Sequence, residues 1–68
     1  MNEENFNMAL RKYLKTVGVT SQREIENAVR GAVAAGKLKD GAALKAKMRL
    51  TIPEIGLDHE IDGTIAVD

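Results

Sequence analysis

The side chains that could do chemistry are few, and their spacing limits what they could do. His59 is the only imidazole, the side-chain type best suited to passing protons near neutral pH. A catalytic histidine needs an orienting carboxylate and a nucleophile within reach. Asp58 and Glu60 adjoin His59 in sequence, but in an extended strand adjacent residues point to opposite faces, and no cysteine is present. His59 therefore reads as a residue whose polar tip sits at the edge of a core. Asp58, Glu60 and Asp62 resemble part of a calcium loop but lack its twelve-residue spacing and its glycine. One histidine and no cysteine leave no ligand set for zinc. No glycine-rich phosphate loop, nucleophile elbow or zinc signature occurs. The chain is expected to be no enzyme, with no catalytic residue, cofactor or metal.

Gln22, Arg23, Asn27 and Arg30 form the other suggestive group. On a helix that follows a turn and precedes a hairpin, such side chains could reach bases and phosphates, as in a winged helix-turn-helix. Gln22, Arg23 and Arg30 would carry that alternative function. Glu24 and Glu26 interrupt the group, and one helix of the usual three is missing. Across the chain, ten basic residues cancel ten acidic ones, whereas a dedicated nucleic-acid binder carries a basic footprint. A protein partner or self-association is the better expectation.

These residues must be positioned by a small scaffold. The 68 residues predict a single domain over 1–68. At this size, apolar burial at about 25 cal/mol per Å² has to offset about 1.5 kcal/mol of ordering entropy per residue, and the balance falls near zero. Small domains are therefore stapled by disulfides, by a metal or by a partner. Without cysteine, and with one histidine, the partner is the remaining staple. Phe6 and Tyr13 are the only aromatics, which leaves the core light and favours a homodimer. The start, Met1-Asn2-Glu3-Glu4, is polar and acidic rather than a basic leader followed by an apolar run. No stretch approaches the ~18 apolar residues of a membrane span. The expected location is the cytoplasm.

Two helices are predicted. Phe6, Ala9, Leu10, Tyr13, Leu14 and Val17 recur at spacings of three and four, which marks an amphipathic helix over about 3–17. Glu3 and Glu4 suit its first turn, and Gly18 suits a left-handed cap after its last. Ser21-Gln22-Arg23-Glu24 reads as a capping box that opens a second helix over about 22–35. Ile25, Ala28, Val29, Ala32 and Val33 form its apolar stripe, and Gly36 closes it.

Beyond Lys39-Asp40-Gly41, a turn signal, the period changes to two. Every even position from Ala42 to Ile52 is apolar, while Lys45, Lys47, Arg49 and Thr51 hold odd positions. The strand is placed at about 45–52, its start blurred by the helix-forming Ala42-Ala43-Leu44. Pro53 and Gly56 fit a four-residue turn. The second strand, about 57–67, puts Leu57, Ile61, Ile65 and Val67 on one face. Pairing Ile52 with Leu57 sets Leu50 against His59, Met48 against Ile61 and Ala46 against Gly63. On the other face, Arg49 meets Glu60 and Lys47 meets Asp62. A rival turn at Asp62-Gly63 would break that alternation. The predicted fold is α+β: two amphipathic helices packed on one face of a two-stranded antiparallel β-hairpin, in the order α-α-β-β.

Asn7-Met8, Arg11-Lys12, the block from Leu14 to Glu26, Gly36-Lys37-Leu38, Met48, Leu50-Thr51-Ile52-Pro53, Gly56-Leu57, His59, Ile61 and Gly63 together carry a resemblance. Nearly end to end, the chain resembles a family of short bacterial proteins with no assigned function. The resemblance implies a bacterial, intracellular, free-standing protein, and it brings no activity, ligand or catalytic residue with it.

Overall fold

The structure is a computed structural model that describes residues 1–68. The chain divides into two compact units, Met1–Lys37 and Leu38–Asp68, and each is described by itself.

The first unit corrects the expected fold. In place of two helices over 3–17 and 22–35, a single helix, α1, runs unbroken over Glu3–Ala34. The order is α-β-β, not α-α-β-β. Gly18 is not among the glycines with positive φ, so it does not cap. Ser21 lies in mid-helix, where the amide groups it would have capped are already bonded within the helical ladder. The reason is that a cap signal permits a helix end without forcing one. Only proline removes the backbone donor, and α1 contains none. The apolar stripe also continues in phase across the supposed joint. Phe6, Leu10, Leu14 and Val17 are followed by Ser21, Ile25, Ala28 and Ala32 at spacings of four, four and three, repeated. That eleven-residue period, about 3.67 residues per turn, keeps the stripe nearly straight along a continuous helix.

Both ends of α1 are capped. Asn2 Oδ1 accepts a hydrogen bond from the Asn5 N–H at 3.1 Å, and Glu3 and Glu4 occupy the first turn. At the other end Gly36 takes φ +71°. The Gly36 N–H donates to the Val33 carbonyl at 3.0 Å and the Lys37 N–H to the Ala32 carbonyl at 2.9 Å, the paired bonds of a Schellman cap. Gly36 closes the helix as its position in the sequence predicts.

The second unit is an antiparallel hairpin of β1 (Ala42–Ile52) and β2 (Leu57–Val67), joined by a 3-10 turn over Pro53–Ile55. β1 starts at Ala42 rather than near 45, because the period-two pattern holds from that residue and Ala42 pairs with Val67. The ladder sets Ile52 opposite Leu57, Leu50 opposite His59, Met48 opposite Ile61 and Ala46 opposite Gly63, the register that the alternation and the turn predict. Gly56 closes the turn at φ +66°, with its N–H donating to the Pro53 carbonyl at 3.1 Å. The rival turn at Asp62-Gly63 does not form, since both residues lie inside β2.

No side chain in either unit is buried. No helix is long and apolar enough to cross a membrane.

Candidate interaction surface

The two faces of the hairpin differ because side chains alternate along each strand. The charged face carries Lys45, Lys47 and Arg49 from β1 and Asp58, Glu60 and Asp62 from β2. Its ion pairs are diagonal, one step from the residues directly opposite. Arg49 is aligned with Glu60 in the ladder, yet its guanidinium bonds Asp58 through Nε at 3.1 Å and Nη2 at 2.9 Å. Lys47 is aligned with Asp62 but meets Glu60 at 3.1 Å. Strand twist brings one set of diagonal neighbours within reach of long side chains. The period-two pattern gives the aligned pairs and cannot by itself choose the diagonal. All four side chains are largely exposed. The Arg49 hydrogen bonds hold the Asp58 carboxyl below its ordinary value of 3.8. In return, Asp58 raises the proton affinity of Arg49, and slight desolvation opposes both shifts.

The apolar face is unevenly covered. Leu44, Leu50, Ile52, Leu57 and Ile65 are half-buried, whereas Met48, His59, Ile61 and Gly63 are exposed. Met48 and Ile61, aligned with each other, are 42% and 54% exposed. Next to them on the same face, Ala46 and Gly63 form a low pair. A Cβ built on Gly63 would meet nothing within 4 Å. The sequence identifies this shallow spot, but it does not show that the middle of the face is its open part.

His59 lies on the apolar face opposite Leu50, away from the carboxylates of Asp58 and Glu60. No three acidic or histidine side chains converge as a metal-holding group. An open concavity of about 580 Å³ is lined by Lys45, Ala46, Lys47, Asp62, Gly63 and Thr64. Its polar groups are two ammoniums, a carboxylate and a hydroxyl, all on exposed residues.

On α1, Gln22, Arg23 and Arg30 are all exposed. Arg23 and Arg30, seven residues apart, share a side of the helix, while Gln22 points about 100° from Arg23. Arg30 is paired with Glu26 at 3.5 Å. Val17–Thr20, which a helix-turn-helix would need as its turn, is helical. The three residues are thus not gathered on a separate recognition helix.

A family model matches the chain over residues 1–68. The chain belongs to a family of unknown function, DUF6494. The family resemblance read from the sequence is thereby confirmed over the whole chain. No curated protein and no solved structure matches this member of DUF6494.

Proposed function

We propose that this chain is a non-enzymatic protein-interaction module that completes its hydrophobic interior by associating with a second copy of itself. One observation carries the reading: 44% of the residues are hydrophobic, and none of them is buried. Along α1, Phe6, Leu10, Tyr13 and Leu14 are all exposed. On the hairpin, Met48 and Ile61 are exposed as well. Isolated exposed apolar residues are ordinary, but contiguous apolar stripes on two elements mark surfaces that a partner covers. A chain of this size has little stability to spare without a staple, and it has no cysteine to supply a disulfide.

The test is mass and stability measured across a wide range of protein concentration. A self-associating module doubles its mass from 7.4 kDa, and its melting temperature rises with concentration, since association stabilises the folded state by mass action. A folded particle of 7.4 kDa whose melting temperature ignores concentration would overturn the proposal.

A further inference from the structure

We infer that α1, from Asn5 to Arg23, docks lengthwise on an anionic lipid surface, its apolar stripe sinking between the headgroups while flanking cations meet their phosphates. The inference does not depend on a second copy. Phe6, Leu10, Tyr13 and Leu14 are 42–57% exposed. At about 100° per residue they fall within an arc of about 100° around the helix. They therefore form one stripe rather than scattered exposed residues.

Charge commits this segment to an anionic partner. Between Glu4 and Glu24 the helix carries Arg11, Lys12, Lys15 and Arg23 and no acidic residue, in a chain whose net charge is zero. None of the four cations is used inside the chain, whose ion pairs are made by Arg30, Lys47 and Arg49. Their placement follows the stripe. Arg11 and Lys15 lie to one side of it and Lys12 and Arg23 to the other, about 110–150° from its centre. From such positions long basic side chains lay their stems along apolar surface and carry their charges to the level of the headgroups. Glu3 and Glu24 project on the side of the stripe and bound it at its two ends. Met8 and Val19 stand on the far side and remain in water.

A helix with an apolar stripe and a Lys/Arg-bearing polar face lies in the plane of a membrane surface, and α1 is too polar to cross one. A nucleic-acid duplex would satisfy the four cations but offers nothing to Phe6, Leu10 and Leu14. A headgroup layer supplies negative charge on both flanks and hydrocarbon beneath the stripe. The hairpin has no equivalent patch, since two of the three cations of β1 are held by Asp58 and Glu60.

The experiment is co-sedimentation of the full chain with vesicles of phosphatidylcholine alone and of equal parts phosphatidylcholine and phosphatidylglycerol. The chain should bind the anionic vesicles only and be released by salt. Acrylamide quenching of Tyr13, the only tyrosine, should fall on binding, and this wild-type measurement needs no variant to fold. Glutamine matches lysine in helix propensity, so Lys12→Gln with Lys15→Gln should keep α1 and lower partitioning about 25-fold, about fivefold per cation. Leu14→Gln should lower it about tenfold, and Lys45→Gln on the hairpin should leave it unchanged. Equal binding to neutral vesicles, or none to anionic ones, overturns the inference. Binding that survives Leu14→Gln and is displaced by duplex DNA overturns it too, assigning the cations to polyanions at large. A chain that doubles its mass but ignores anionic vesicles leaves self-association standing alone. A monomer that binds them does the reverse.

Discussion

Arg49 grips Asp58 with two hydrogen bonds, at 3.1 and 2.9 Å, although Glu60 stands directly opposite it in the ladder. Asp58 is aligned with Thr51, so the bond runs on the diagonal and ties β1 to β2 near the turn. Paired planar groups of this kind are more directional than a lysine contact. It is the best-fixed side-chain contact of the charged face.

That pair gives stability a pH dependence of known sign. The Asp58 carboxyl is held below 3.8 in the folded chain, so folding favours its ionised form. The stabilisation is fully present above the ordinary carboxylate value, and it is lost as pH falls through the lowered folded value. Thermal melts stepped down through this acid window should show the wild type losing stability more steeply than Asp58→Asn. If the two profiles run parallel, the pair does not contribute. Because both groups are exposed, the difference should be small and should shrink further in salt.

Gly56 should tolerate no side chain without cost. At φ +66° it occupies the left-handed region, which costs a residue with a Cβ about 1–2 kcal/mol. Space is not the constraint, since a Cβ there would meet nothing within 4 Å. Gly56→Ala should therefore destabilise the hairpin by about 1 kcal/mol, read from denaturant melts. A neutral result would show that the turn at Pro53–Ile55 relaxes to another type.

Removal of the helix cap at Asn2 should fray α1 from its start. Asn2→Ala deletes the acceptor for the Asn5 N–H and should cost about 1 kcal/mol. Hydrogen exchange is the decisive readout: protection should fall at Asn5 and Phe6, whose amides bond to Asn2, and hold in the last turns. Uniform loss along the helix would mean that the cap acts through the whole fold instead.

What the sequence made legible divides along physical lines. The register of β1 and β2 could be read because three independent signals agree: period-two apolarity, the Pro53–Gly56 turn and the opposition of basic and acidic strands. A one-residue slip would move every aliphatic residue to the charged face. The diagonal choice of Arg49 could not be read, because twist acts on side-chain ends and not on the order of residues. Alternation placed Met48 and Ile61 on the apolar face, but it carries no information about which part of a face is left open. The joint expected between two helices is absent for a different reason. Gly18 and Ser21 are local signals, and neither reports whether the stripes on either side share a phase.

The continuity of α1 can be tested by the sign of single substitutions. If Gly18 were a left-handed cap and Ser21 an N-cap, replacing either with alanine would cost about 1 kcal/mol. In a continuous α1 both are mid-helix residues, where alanine is preferred over glycine by about 1 kcal/mol and over serine by a few tenths. Gly18 has open space around its missing Cβ, so no clash offsets the gain. Gly18→Ala and Ser21→Ala should therefore both stabilise the chain, and Val19→Pro should destabilise it by about 3 kcal/mol or more by removing a ladder bond. Melts of the three variants decide between the arrangements, since only a broken helix would make both alanines harmful and spare the proline. Slowed hydrogen exchange across Val17–Ser21 in Gly18→Ala would locate the gain in the helix.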